Sequence, residues 1–338
     1  MIILTASGTG GHIYPAIAVA QFLGQQKFNF LIESGRVSQT ILDRHQYPYT
    51  ALAIQRKKWG SFVKGLYQSY RFFKTHPVTH VYSFGGYVTI PVVLAAWACG
   101  LQITLFEQNI IPGRANRFLA RFVSQVCLTF DESAKFFKRD TIIGGNPIRS
   151  FYLPDPIVDR LLKQVWLYKR CCLVFGGSQG ANQLNSIIEH HYEWFESQEV
   201  CLIHIMGEKA YKKRYLDQPM VISKTNDGFV KRIVVPYIHD MQRLYHWADY
   251  VIARSGATTV AELIAYQKLA LLVPYPHAVD NHQYYNADAF VKLGLGLMVE
   301  QQLLTKSVIK DLFSFEQKVE TLDLSLFDGW KSLLHSAT

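Results

Sequence analysis

Short runs of Ile, Val, Leu and Phe alternate along the chain with longer stretches in which apolar residues recur at helical spacing. MIILTA (1–6) is followed by PAIAVAQFLGQQ (15–26) and FNFLIES (28–34), and the alternation continues to VSQVCLTF (123–130). Strand-like runs alternating with helical ones predict βαβ units on a parallel sheet. The pattern stops in GGNPIRSFYLPDP, a Gly/Pro-rich stretch from Gly144 to Pro156, and resumes at RCCLVFGG (170–177). CLIHIMG (201–207), RIVVPYI (232–238), ADYVIARSG (248–256) and LALLVPY (269–275) then repeat the scheme. After about Glu300 the periodicity weakens, and SLFDGWKSLLHS (325–336) reads as an amphipathic helix. The 338 residues exceed what one domain usually holds, so the expected class is α/β with two doubly wound, Rossmann-like parallel-sheet domains, 1–150 and 151–322, facing each other across a cleft.

From Val81 to Phe106 no residue is charged, a length that would suit a membrane span. Gly85, Gly86, Pro91, Gly100 and Gln102 interrupt it, however, and the stretch reads better as strand HVYSF, loop GGYVTI, a helix PVVLAAWAC beginning at Pro91, and strand ITLFE. Strands buried on both faces give such continuous apolar runs. Residues 1–150 carry 16 lysines and arginines against 6 acidic residues, whereas the remainder carries 19 against 20. The basic half therefore faces an anionic partner. No nucleic-acid-binding motif accompanies the charge, so nucleic acid is not expected. The five cysteines lie in or beside apolar runs without C-x-x-C spacing, as reduced core residues do. The apolar start runs into a glycine loop without a preceding basic stretch, so no signal peptide is expected.

Three glycine clusters fall where strands give way to helices: GTGGH (8–12), FGGY (84–87) and FGGSQGA (175–181). Glycine lets the backbone approach a bulky anion, and a helix opening there points N–H groups and its positive dipole end at it. Three such loops imply several phosphates, held by both halves. Gly8 and Gly10 begin a dinucleotide fingerprint, and Glu33 lies where a ribose-binding acid would, but the sixth position is Ile13. An NAD-dependent oxidoreductase therefore stays open as an alternative. His12 reads either as a general base beside a phosphate loop or as a polar loop residue.

Glu107, Gln108 and Asn109 end the strand after the second glycine loop and should converge on its rim. They open onto Arg114, Arg117 and Arg121, whose spacing predicts one helix face, phosphate-binding or merely solvated. Arg149 in GGNPIR is a candidate for a pyrophosphate or an exposed linker arginine. Glu262 either holds a ribose or forms a capping box with Thr259. His277, Asp280, His282 and Gln283 have no spacing that fixes a metal site. The segment Arg56–Lys74 places Trp59, Phe62, Val63, Leu66, Tyr67, Tyr70 and Phe73 at helical steps opposite basic residues including Lys64. That pattern fits a helix lying on an anionic membrane surface or an ordinary core-facing helix.

Seven motifs in order, GTGGHIYPA, SFGGYVTIP, EQNIIPGRANR, GGNPIR, GGSQGANQLN, RSGATTVAE and DNHQYYNA, make residues 1–300 resemble the MurG family. The family comprises transferases that move GlcNAc from UDP-GlcNAc to the C4 hydroxyl of MurNAc in undecaprenyl-diphosphate-linked lipid I, giving lipid II for peptidoglycan. The resemblance implies a GT-B fold, an acceptor- and membrane-binding first domain onto which a final helix (323–338) packs back, and a UDP-GlcNAc-binding second domain. Donor contacts carried over by motif are Thr9, Gly10, Gly11, Asn109, Arg149, Ser178, Gln179, Ile238 through its backbone, Ala257, Thr258, Thr259, Val260, Ala261, Glu262 and Gln283. Gly10, Gly11, Gly85, Gly86 and Tyr87 would meet the acceptor diphosphate, and Trp59, Phe62, Lys64, Leu66 and Phe73 the membrane. His12 is the expected base and Glu107 the reserve. The Ser178 loop and Arg149 would neutralise departing UDP, with no metal or other cofactor. The implied setting is the cytoplasmic face of the bacterial inner membrane, with cell-wall synthesis and division proteins as partners. Two departures stand out: Phe106 replaces the histidine that often precedes EQN, and His282 stands where some members have glutamine. A membrane-surface protein that binds the nucleotide sugar without transferring it is the non-enzymatic alternative.

Overall fold

The computed structural model describes residues 1–7, 10–34, 37–55, 58–149, 155–165, 170–177, 180–198, 200–316 and 328–335. Two compact units divide the chain, Met1–Phe151 with Asp323–Thr338, and Tyr152–Leu322.

The first unit runs β1 (Ile2–Thr5), α1 (Gly10–Leu23), β2 (Phe28–Glu33), α2 (Val37–His45), β3 (Tyr49–Leu52), α3 (Trp59–Thr75), β4 (His80–Ser83), α4 (Thr89–Ala98), β5 (Gln102–Glu107), α5 (Arg114–Leu119), β6 (Gln125–Leu128) and β7 (Thr141–Ile143). Its seven strands are parallel and lie in the order β3-β2-β1-β4-β5-β6-β7. Successive side chains of a strand point to opposite faces. Ile2 and Leu4 accordingly join Ile13, Ile17 and Ala20 of α1, while Ile3 joins Phe73 of α3 and Val92 and Ala96 of α4. Both faces are covered, which is why MIIL has no polar alternation. The order reverses between β1 and β4, and a crevice forms at the carboxyl ends of strands at such a switch point. The GTGGH and FGGY clusters follow those two strands.

The second unit contains α6 (Pro156–Val165), β8 (Cys171–Phe175), α7 (Asn182–His190), α8 (Tyr192–Glu196), β9 (Cys201–Ile205), α9 (Glu208–Tyr215), β10 (Val221–Lys224), β11 (Val230–Val235), α10 (Met241–Trp247), β12 (Tyr250–Ala253), α11 (Ala257–Ala265), β13 (Leu269–Leu272), α12 (His282–Lys292), β14 (Gly296–Met298) and α13 (Lys306–Phe313). Its order, β10-β11-β9-β8-β12-β13-β14, reverses between β8 and β12, which lead into GGSQGA and RSGATT. Only β10 is antiparallel among the described strands, an edge hairpin with β11. A last helix, α14 (Trp330–His335), belongs to the first unit: Trp330 N–H donates to the Gly144 carbonyl at 2.9 Å, and its ring meets Phe22 edge-on.

Several local expectations change. Helix α1 starts at Gly10, not at Pro15, and α4 at Thr89, not at Pro91. Helix α5 ends at Leu119, and Arg121 sits in a 3₁₀ turn, Ala120–Phe122, whose tighter winding takes it off the row of Arg114 and Arg117. No capping box forms at Glu262, because Gly256 is the N-cap of α11 and Thr259 lies inside the helix. The membrane assignment of Phe73 fails, since its ring is buried in the α3–α4 core, and Leu66 and Phe72 pack against the same core. The residues of α3 facing outward are Trp59, Val63, Tyr67 and Tyr70, with Lys64, Arg71 and Lys74.

Candidate active site

In the first unit the second glycine loop meets Ser7, the residue that leads into the first cluster. Gly85 and Gly86 have φ of 90° and 94°, and the Gly85 carbonyl accepts from Ser7 N–H at 3.1 Å. A side chain on Gly86 would run into Ser7, so close approach as well as backbone sign demands glycine. Helix α1 opens at this junction with Gly10 and Gly11, and its first-turn N–H groups and positive dipole end suit an anion. Tyr87, half-buried beside the second loop, contacts Phe62 of α3 at a ring separation of 6.4 Å. Thr9 lies outside the described residues, as do Ser178 and Gln179.

Strand β5 delivers the next group. The half-buried His12 places Nδ1 3.3 Å from Gln108 Oε1, and Gln108 Nε2 donates to the Phe106 carbonyl at 3.2 Å. Phe106 is a core residue stacked on Phe84 at 4.7 Å, so it stands in an apolar layer that a ring nitrogen would not suit. Arg149, 8% exposed, lies over the ring of Tyr14 at 4.1 Å, two residues beyond His12.

Glu107 is 2% exposed, and all its acceptor capacity is engaged. Oε1 accepts from Asn109 N (2.9 Å) and Asn109 Nδ2 (3.2 Å), and Oε2 from Gly113 N (3.0 Å) and Asn116 Nδ2 (2.8 Å). Burial pushes its pKa up, and those four donors pull the other way. The carboxylate holds the 107–116 turn together and has no lone pair left for a substrate proton. Asn109, offered as a donor contact, gives one amide N–H to the same anchor.

In the second unit a cavity of about 700 Å³ lies at the switch point, lined by Gly176, Gly177, Gly180, Ala181, Asn182, Gln183, Arg254, Tyr275, His277 and Gln283. Gly180 has φ of 71°, and a Cβ there would stand 2.6 Å from the Met206 carbonyl oxygen. Arg254, 5% exposed, donates to the carbonyls of Val273 and Pro274 at 3.0 Å and to Gln301, and burial lowers its pKa to about 10. Gln283 Oε1 accepts from Tyr275 N at 2.9 Å, so its amide NH₂ is the end presented to a ligand. The turn before α12 is made by Asp280 and Asn281, both with φ above 50°, residue types that tolerate left-handed backbone.

Glu262, 6% exposed, accepts from the Tyr245 hydroxyl at 2.9 Å. Val260 and Ala261 are fully buried, so their side chains face the core; Thr258 and Thr259 are half-buried. Ile238 is also buried, so a ligand contact there falls to its backbone. Among the described residues no three His, Cys, Asp or Glu side chains converge as a metal site would require. Arg254, Asn182, Gln183 and Tyr275 were not singled out from sequence. Arg254 stood at the head of the RSGATT motif, and Asn182 and Gln183 lay inside GGSQGANQLN, whereas Tyr275 carried no signal.

Beneath the third glycine loop lies a buried polar chain. Tyr192 Oη is 2.6 Å from His204 Nδ1, His204 Nε2 is 3.1 Å from Asn185 Oδ1, and Asn185 Nδ2 donates to the Met206 carbonyl at 2.8 Å. Burial, reinforced by Arg214 and Arg232, lowers the His204 pKa to about 3, so its ring is neutral.

The Glycosyltransferase family 28 N-terminal domain matches residues 2–128, and the corresponding C-terminal domain matches residues 171–323. A UDP-N-acetylglucosamine--N-acetylmuramyl-(pentapeptide) pyrophosphoryl-undecaprenol N-acetylglucosamine transferase of Syntrophus aciditrophicus is 32% identical, over 92% of this chain and 88% of its own length. The transferase of the same description from Geobacter metallireducens is 33% identical over 95% and 92%. The crystal structure of Acinetobacter baumannii MurG superposes with a TM-score of 0.68 at 27% identity, covering 99% of this chain and 98% of that one. A UDP-GlcNAc 2-epimerase of Methanocaldococcus jannaschii, 12% identical with a TM-score of 0.70 over 99% of both chains, shares the fold. With both of its domains matched and relatives above 30% identity along nearly the whole chain, the protein belongs to the MurG family of glycosyltransferases.

Proposed function

We propose that this chain is an inverting transferase that moves GlcNAc from UDP-GlcNAc to the C4 hydroxyl of MurNAc on lipid I, giving lipid II for peptidoglycan. The cavity of the second unit carries the proposal: a glycine loop opening a helix suits a diphosphate, Arg254 stabilises its negative surroundings, and the Gln283 amide is placed for a sugar hydroxyl. Glu262, held by Tyr245, would accept from the ribose, and the Ile238 backbone would meet the uracil. Ser178 and Gln179 are further donor contacts carried over from the family motif.

His12 is the base. As the acceptor oxygen attacks the anomeric carbon, the bond to UDP breaks, and the hydroxyl proton passes to the imidazole. The leaving charge falls on the loop N–H groups and on Arg149, while the junction of Gly10–Gly11 with Gly85–Gly86 and Tyr87 holds the acceptor diphosphate. Losing a general base usually costs about 10²–10⁴-fold in rate. His12→Ala should therefore bind UDP-GlcNAc normally and turn over at that deficit, and turnover near wild type would reject the assignment. The dinucleotide alternative needs a small residue at Ile13, which instead is fully buried in the α1 core. Acceptor-dependent UDP release with a short-chain lipid I analogue, and UDP-GalNAc as control, tests the transfer itself. Saturable UDP-GlcNAc binding without release would favour a binding protein.

The outward row of α3 fits the cytoplasmic face of the inner membrane, where a lipid-linked acceptor resides. Trp59, Val63, Tyr67 and Tyr70 would enter the interface, and Lys64, Arg71 and Lys74 would meet anionic headgroups, each base contributing about 1 kcal/mol near such a surface. Phe62 would couple that face to Tyr87 of the acceptor loop. No described helix is long and apolar enough to cross a membrane.

A further inference from the structure

We infer that Gln108 is the positioning residue that sets the tautomer of His12, putting the proton of the neutral imidazole on Nδ1 and its lone pair on Nε2. The inference deepens the proposed transferase chemistry and rests on it for its purpose, though not for its geometry.

The backbone oxygen of Phe106 can only accept, so the end of the Gln108 amide 3.2 Å from it must be the NH₂ group. The amide oxygen then faces His12 Nδ1 at 3.3 Å, and it too can only accept. Nδ1 is therefore the donor of the pair. A neutral imidazole carries one N–H, which leaves the lone pair on Nε2.

Gln108 is held firmly enough to impose this choice. It is 1% exposed, at the end of a strand whose Phe106 ring is stacked on Phe84. The Glu107 carboxylate binds the Asn109 N–H at 2.9 Å, fixing the backbone on the other side of Gln108. Reversing the amide would set its oxygen against the Phe106 carbonyl oxygen, two acceptors face to face, so that contact fixes the orientation and the tautomer follows from it. The arrangement also survives the reaction. When Nε2 takes the acceptor's proton, Nδ1 still donates to the same oxygen, and no group need reorient at the moment of transfer. Because the acceptor is a neutral amide, the imidazolium gains no full counter-charge and can release its proton afterwards.

The tautomer can be read directly by long-range ¹H–¹⁵N correlation of the full chain labelled with ¹⁵N-histidine, at a pH where the ring is neutral. Among the 12 histidines, His12 is assigned by the signals absent from His12→Gln. The expected result is an Nδ1–H ring, against the Nε2–H form that free histidine side chains prefer. An Nε2–H ring in the wild-type protein overturns the inference. Gln108→Leu, which removes the acceptor, should move the ring toward Nε2–H and lower kcat about 10–100-fold, with KM for UDP-GlcNAc changed less than about two-fold. Gln108→Glu in its protonated form can donate to the Phe106 carbonyl and accept from Nδ1, and should restore both the tautomer and most of the rate. A Gln108→Leu variant with wild-type kcat and an unchanged ring also overturns it. His12→Ala at full turnover, by contrast, would remove the base role while an observed Nδ1–H ring still upheld the geometry, so the two failures are distinguishable.

Discussion

Replacing Glu107 by glutamine separates an anchor from a base. The substitution keeps the shape of the side chain and removes its charge, so one of the two oxygen positions becomes an NH₂. Whichever way the amide turns, two of the four donors, either the Asn109 pair or Gly113 N with Asn116 Nδ2, then face another donor. Hydrogen bonds to a charged group contribute about 1.5–3 kcal/mol each, so the two contacts account for roughly 3–6 kcal/mol. Burial opposes the charge, as the raised pKa shows, and an uncharged amide regains part of that penalty. A net loss on the order of 2 kcal/mol remains, which for a domain of about 150–250 residues lowers the melting temperature by about 4–8 °C. Scanning calorimetry of the full chain should show the shift in the transition of the first unit, with turnover falling less than about ten-fold below that transition. Because the folded pKa lies above the unfolded one, folding favours the protonated carboxyl, the wild type gains stability as pH falls through that titration, and its lead over the non-titrating variant should widen there. An unchanged melting temperature together with a rate loss of 10²-fold or more would refute the anchor and make Glu107 the base.

Three further outcomes are expected. The His204 pKa, lowered to about 3, lies below the unfolded value, so its contribution is complete above about pH 6.5 and is lost as pH falls. That loss reaches about 2 kcal/mol at pH 5, and urea unfolding of His204→Gln should show a correspondingly flatter dependence between pH 7 and 5; an identical slope would exonerate His204. Gly180→Ala forces a side chain toward the Met206 carbonyl at positive φ, which should cost about 1–3 kcal/mol and raise KM for UDP-GlcNAc at least about ten-fold, checked by melting and steady-state kinetics. Trp59→Ala with Tyr67→Ala should reduce partitioning onto anionic vesicles roughly ten-fold, whereas Phe73→Ala should spare partitioning and lower stability by about 3–5 kcal/mol. Equal effects of the two on partitioning would reject the outward row.

The sheets were legible because a buried parallel strand leaves an uninterrupted apolar run, as MIIL and CCLVF do. Four short strands, β3, β7, β10 and β14, escaped notice, all of them lying at or next to sheet edges where half of the pattern is missing. The glycine clusters marked both switch points, since a backbone approached by its own neighbour or by an anion admits nothing larger. Which face of α3 turns inward was not legible. Phe73 and Tyr70 are both aromatic, and only the packing of α3 on α4 distinguishes them. The roles of Glu107 and Gln108 were hidden for a similar reason: a polar triplet after a strand announces a site, but which member touches ligand depends on contacts with residues far along the chain.

Helix α14 gives the first unit a history. Trp330 and Leu334 lie in the same buried cluster as Ile13, Phe106 and Cys127, although more than two hundred residues of the chain separate them from Cys127. A ribosome releases the amino-terminal residues of that core first and its final hydrophobic layer last. The unit therefore waits, with an apolar face uncovered, while the whole of the second unit is made. Fragments ending near residue 150 should inherit that exposed face permanently and aggregate, and a separately supplied peptide covering 323–338 should be able to rescue them.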